Sequence, residues 1–213
     1  MTWTMGLRWC YAVPDHRAER FIADTNALRG PGILSSHAGS HGPGSWSPWS
    51  LTWDLTLITD GPGRPHIPEV DELLDRWSTE VEVTSSAVLT PRAWRQAHGD
   101  DGIEDLVHRV LLLRVAPSAP QQQIRALEAS LLRMPDHIPV IRSWSLSTVS
   151  PASRRYWTHC WRQTYRDAAD LVDPDTPDSY LAHPYHVTNV DAFFDPHNPR
   201  RIVDDFSHAY YIC

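Results

Sequence analysis

Apolar and polar positions along this chain fall into two successive series with the same order: strand, helix, strand, strand, helix, strand. In the second series, residues 106–115 are a nearly continuous apolar run, which predicts a strand buried on both faces. Ile124, Leu127, Leu131 and Met134 then recur at helical spacing, and Ser118 with Gln121 fits a capping box ahead of them. Residues 142–149 and 156–165 read as strands, 178–182 as the end of a second helix, 187–194 as further helix, and 202–206 as the closing strand. The first series is looser. A strand at 7–13 leads to a helix capped by Asp15, with Ala18, Phe21, Ile22, Thr25 and Leu28 as its stripe and Gly30-Pro31 as its stop. Strands at 33–37 and 51–59 follow, then a helix carrying Val70, Leu73, Leu74 and Trp77. Residues 81–84 or 87–89 close the unit. The polar stretch 96–104, with two glycines, reads as a linker. The expected class is α+β, with two ferredoxin-like β-α-β-β-α-β repeats at 1–98 and 103–213. The first repeat is the degenerate one.

Composition narrows the possibilities. The chain has 213 residues, 41% hydrophobic and 21% charged, as in ordinary globular proteins. No apolar run approaches the ~18 residues of a membrane span. A net charge of −7 and no run of more than two adjacent arginines argue against nucleic acid. The first residues show neither a basic nor an apolar signal region. Cys10, Cys160 and Cys213 are an odd set without CxxC spacing, which predicts reduced thiols and a cytoplasmic location. All 19 basic residues are arginine, so Schiff-base catalysis by lysine is closed. Ten tryptophans can fill a core or line a pocket for a flat, apolar or aromatic molecule.

The densest chemistry lies in Tyr180-Leu-Ala-His183-Pro-Tyr-His186-Val187. A proline in its middle breaks a helix, so Tyr180 and His183 are expected on a last helical turn with His186 swung beyond it. A phenol beside an imidazole can move a proton on a bound substrate.

The segment from Leu106 to Phe206 resembles a stress-responsive A/B barrel (Dabb) domain of the dimeric α+β barrel superfamily. Val107-His108-Arg109-Val110-Leu111 is similar to that family's opening strand. Residues 134–142, Met-Pro-Asp-His-Ile-Pro-Val-Ile-Arg, are similar to its Leu-Pro-x-x-Ile-Pro-Gly-Ile link, with Val140 in place of the glycine. Tyr156-Trp157-Thr158-His159 resembles its Tyr-x-His, residues 180–187 its Tyr-x-x-His-Pro-x-His-Val, and Ile202-Val203-Asp204-Asp205-Phe206 its closing strand. The resemblance implies that two sheets pack face to face. Here both would come from one chain as a pseudo-dimeric α+β barrel, which is a monomer or homodimer overall.

Some Dabb-type proteins are polyketide cyclases that need no cofactor, and in those the motif tyrosine and histidine are the catalytic pair. Carried over, the pair is Tyr180 and His186, with the strand histidines His108 and His159 orienting substrate. Strand alternation puts Trp157, His159, Trp161, Gln163 and Tyr165 on one face, and His108 with Leu106, Val110 and Leu112 on another strand's face. Both histidines are expected to border one apolar pocket between the sheets. Trp157, Trp161, Trp53, Leu112 and Gln163 are its expected substrate contacts, and Trp53 takes the place of His159 in the first repeat. The function expected is a cofactor-independent cyclase or isomerase of natural-product (polyketide-type, antibiotic) biosynthesis. An anthrone-type monooxygenase without cofactor and a non-catalytic stress-related binding protein remain open, and other branches of the superfamily hold haem. No cofactor and no metal are expected. A two-histidine, one-carboxylate site from His183, His186, His197, Asp191 and Asp195 is disfavoured by Pro184 and by the loop context of these residues. The stretch from His37 to Pro48 reads as a flexible loop able to cover the barrel mouth.

Overall fold

The computed structural model describes residues 3–13, 15–59, 66–80, 82–95, 105–150, 157–173, 175–176 and 178–213. The expected linker at 96–104, Val81, Tyr156 and the Cys10 side chain lie outside the described residues.

The first half comprises β1 (Trp3–Ala12), α1 (Asp15–Asn26), β2 (Ile33–Ser40), β3 (Leu51–Thr59), α2 (Pro68–Trp77) and β4 (Glu82–Arg95). The second comprises β5 (Val107–Val115), α3 (Gln121–His137), β6 (Ser143–Val149), β7 (His159–Tyr165), the short α4 (Ala168–Val172) and α5 (Pro184–Asn189), and β8 (Val203–Ile212). The strands form one antiparallel sheet in the order β2-β3-β1-β4-β6-β7-β5-β8. Each half therefore runs second-third-first-fourth, the ferredoxin-like order. β4 serves both halves, pairing with β1 through residues 82–89 and with β6 through residues 89–95. The sequence offered two alternative short strands here, and both belong to this long one. Pro91 is tolerated because the register slips between Pro91 and Ala93, where no ladder N–H is needed.

The outer strands of the sheet then meet. Gly42 N–H donates to Tyr210 C=O at 2.8 Å, His208 N–H to Trp46 C=O at 2.9 Å, and the Tyr210 hydroxyl to Pro43 C=O at 2.6 Å. The sheet is thus closed into a pseudo-dimeric α+β barrel. A side chain at Gly39 would place its Cβ 2.7 Å from the Tyr211 ring, so only glycine lets β2 lie against β8. The stretch starting at His37 is accordingly not a loop from its outset. Through Ser40 it is strand, paired residue by residue with β3.

Helices cover the outer faces of the barrel. In the second half α3 packs Leu127, Leu131 and Met134 onto Val107, Leu111, Leu113, Trp161 and Tyr165. In the first half Phe21, Trp53 and Trp77 form the equivalent layer. Trp49, Leu89, Val110, Leu112, Trp157, Cys160 and Tyr211 pack on the inner side. The capping box expected at Ser118 does not form. Pro120 is the N-cap of α3 and offers no side-chain acceptor. Nor does a helix end at the 180–187 motif. Residues 178–182 are a turn and α5 begins at Pro184, the helix position that tolerates a missing N–H.

Candidate active site

The site grows from one cross-strand pair. Arg109 of β5 and Gln163 of β7 are directly opposed, and the Arg109 Nη1–H donates to Gln163 Oε1 at 2.5 Å. Both side chains point to the helix-covered face, among apolar neighbours. Arg109 is only 3% exposed. An arginine so buried needs partners, and the chief one lies above it: the guanidinium carbon is 4.4 Å from the Tyr180 ring centre.

Tyr180 is held there by its backbone. Its N–H donates to Asp170 C=O at 2.8 Å, and Leu181 N–H donates to Leu171 C=O at 3.2 Å, which tie the turn to α4. Asp178 opens the turn at φ +62, a left-handed conformation aspartate tolerates. His183 must be extended because a proline follows, and it becomes the N-cap of α5, its Nδ1 accepting the Tyr185 N–H at 3.1 Å. One turn later His186 comes back over Tyr180, with ring centres 4.7 Å apart. Asp191 Oδ1 lies 3.3 Å from His186 Nδ1, though not in hydrogen-bond geometry. Tyr165 meets Tyr180 edge-on at 5.8 Å.

Arg109 Nε and His186 Nδ1 are buried without a hydrogen-bond partner, and the Tyr180 and Tyr165 hydroxyls have only loose ones: Gln163 for both and Arg109 for Tyr180. Burial raises the Tyr180 pKa above its usual value, and the Arg109 cation partly opposes that. Burial pushes His186 down to about 3, with help from Arg109 and then His183, so its imidazole is neutral at pH 7. His208 of β8 is lowered to about 3 by burial and by the charges of Arg109, His186 and His41. Burial raises the Asp191 carboxyl.

The structure gathers Tyr180, His186 and Gln163 from the residues expected by sequence, and separates the rest. His108 and His159 do not border one pocket, because the β5–β7 register sets them on opposite faces of the sheet. His159 lies opposite Leu113 on the helix side, with Nε2 3.3 Å from Glu128 of α3. His108 faces inward and stacks on Tyr211 at 5.3 Å. Leu112 and Trp157 are also in the inner layer, since the chain at Trp157 precedes β7 and does not share its alternation. Trp161 is on the helix side, against Trp144. Trp53 sits in the other half, its indole N–H donating to Ser36 Oγ at 2.8 Å. Tyr180 and His186 thus lie between helices and sheet, not between the two sheet halves. Arg109 and His208 were not anticipated, and Asp191 was named only as a candidate metal ligand. The signal for Arg109 was present, a charge within an otherwise apolar strand.

A cavity of about 380 Å³ opens beside β8, lined by residues that include Trp46, Trp157, Asp205 and Phe206. Among the described residues, the side chains placed to hold a metal ion are His37, His108 and Cys213, on the inner face. The earlier grouping around His183 and His197 is not gathered, because His183 is occupied as a helix cap.

Comparison with known proteins agrees with this architecture. A candidate monooxygenase from Fusobacterium nucleatum superposes with a TM-score of 0.59 at 12% identity, covering 99% of this chain and 91% of that one. A candidate monooxygenase from Lactobacillus acidophilus gives 0.58 at 10% identity, over 98% and 93%. An anthrone oxidase-like protein gives 0.55 at 11% identity, over 99% and 91%. At such identities the likeness is one of fold. No curated protein matches the chain by sequence. The model of the stress responsive A/B barrel domain matches residues 107–208, the segment that supplies Arg109, Gln163, Tyr180 and His186. Over residues 107–208, just under half of its length, this chain is similar to the stress responsive A/B barrel (Dabb) domain family.

Proposed function

We propose that this protein is a cofactor-independent acid/base enzyme acting on an enolisable, polyketide-type small molecule, as a cyclase or isomerase. One observation carries the reading. Arg109 Nε and His186 Nδ1 are buried without partners around a Tyr180 hydroxyl that is only loosely paired with Gln163 and Arg109, a costly arrangement unless something else binds there. A carbonyl oxygen turning into an enolate is such a partner. His186, neutral at pH 7, takes a proton from the carbon beside the carbonyl, and the C–H electron pair moves onto the oxygen. Tyr180 and Arg109 stabilise that oxygen as charge develops. Burial first, and the Arg109 cation second, keep His186 weakly basic at rest. Negative charge growing beside Arg109 offsets that field, so the base strengthens as the proton moves, which favours the transition state over bound substrate. Asp191, with Oδ1 3.3 Å from His186 Nδ1, sits where it can stabilise the imidazolium electrostatically once the proton has moved. The carbanion then attacks a second carbonyl to close a ring. Because Tyr180 is fully buried, entry requires the 178–193 segment to shift.

The structures of similar fold favour a second reading with the same first step. Two are described as candidate monooxygenases and one as anthrone oxidase-like. In that case the carbanion reacts with O2, forming a C–O bond and releasing water as a quinone appears. The test is to incubate the protein with a linear β-polyketone and with an anthrone, following oxygen uptake and product masses. Ring closure without oxygen uptake supports the cyclase. Oxygen uptake with anthrone supports the oxygenase. Tight binding with turnover of neither supports a ligand-binding protein and overturns both.

A further inference from the structure

We propose that His37, His108 and Cys213 form a binding site for a zinc-class divalent ion on the inner face of the barrel, apart from the Tyr180 layer. Three elements converge there: β2 supplies His37, β5 supplies His108, and Cys213 follows β8 by one residue. Their donor atoms all lie within 4.8 Å of one another, and the two imidazole centres are 4.9 Å apart. Around a tetrahedral zinc ion, with metal–nitrogen and metal–sulfur bonds of roughly 2.0–2.3 Å, such atoms stand about 3.3–3.8 Å apart. The trio is therefore about 1 Å wider than a filled site.

The donor set matches the ion. Two imidazoles and one thiolate suit borderline metals and exclude magnesium and calcium, which require oxygen ligands. Three protein ligands leave one position for water. Asp54, directly opposite His37 in the β2–β3 register, adds negative charge nearby, although Arg162 holds it at 2.8 Å. The location gives the ion a role. It would tie β2 of the first half to β5 and β8 of the second, beside the seam where Gly39 admits Tyr211. Binding would thus fasten the barrel closed.

The full chain is titrated with Co²⁺, a spectroscopic substitute for zinc. The expected result is one ion per chain, with tetrahedral bands in the visible and a thiolate-to-cobalt band in the near ultraviolet. Cys213→Ser abolishes the ultraviolet band, and His37→Ala weakens binding at least ten-fold. Zinc raises the thermal midpoint of the wild-type protein only. Absence of tetrahedral bands, or bands unchanged in Cys213→Ser, overturns the proposal. Should either variant fail to fold, X-ray absorption of zinc-loaded wild-type protein decides: one sulfur neighbour supports the site and none refutes it.

Discussion

The guanidinium carbon of Arg109 sits 4.4 Å from the centre of the Tyr180 ring, and His186 lies 4.7 Å from that ring on a different element. A fixed cation thus lies beside both the phenol and the imidazole: burial raises the Tyr180 pKa and lowers that of His186, and the cation opposes the first shift and adds to the second. The pair expected from the sequence is packed with a third residue, Arg109, which the motif omits.

Arg109→Gln removes that cation. The His186 pKa is expected to rise from about 3 towards the ordinary histidine range, read by NMR titration of the ring. Turnover is expected to fall roughly 100- to 1000-fold despite the stronger base, because the oxyanion loses its charged partner.

Tyr180→Phe separates catalysis from packing. The hydroxyl is only loosely paired with Gln163 and Arg109 at rest, so removing it is expected to change stability by less than about 1 kcal/mol in urea unfolding. The rate is expected to fall about 100-fold or more. A structural tyrosine would show the reverse: a lower unfolding midpoint and an unchanged rate. His159→Ala supplies the contrast. Its loss leaves the buried Glu128 carboxylate short of a neighbour, costing roughly 1–3 kcal/mol with little effect on rate.

Stability should depend on pH in a defined window. His186 and His208 titrate near 3 when folded and His41 near 4, whereas unfolded histidines titrate near 6.5. Between those values the unfolded chain binds more protons than the folded one, so stability rises with pH and is lost as pH falls from about 6.5 towards 3. His186→Gln is expected to make that slope shallower by up to about one proton. Denaturant midpoints across the window check this.

The barrel seam gives a prediction for the fold alone. Gly39→Ala drives a methyl group into the Tyr211 ring and towards Ile212 C=O, and is expected to cost roughly 1–3 kcal/mol. Thermal unfolding of this variant tests whether closure between β2 and β8 is part of the cooperative unit.

The α+β class, the β-α-β-β-α-β order and the Dabb motifs were legible because they depend on local periodicity and short spacings. The sheet face of each histidine was not, because it depends on the β5–β7 register. Leu113 opposes His159, which sends it to α3, while His108 one residue off the Arg109 phase turns inward. Trp157 misled for a related reason: it precedes β7, so strand alternation does not apply to it. The conformation of the motif was decided by Pro184, which begins a helix here where its role as a breaker suggested that one ends. His37 read as loop because glycines surround it, yet Gly39 is present to let two strands approach. His208 was invisible because only the close of the sheet brings it near Arg109.

The central claim is that Arg109, Tyr180 and His186 together draw a proton from carbon. Hydrogen–deuterium exchange at the acidic carbon of a β-polyketone, followed by NMR in D2O, tests it without requiring a finished reaction. The account predicts exchange well above the buffer rate with wild-type protein, falling at least ten-fold in both His186→Ala and Tyr180→Phe. Exchange at the wild-type rate in folded samples of either variant would contradict it.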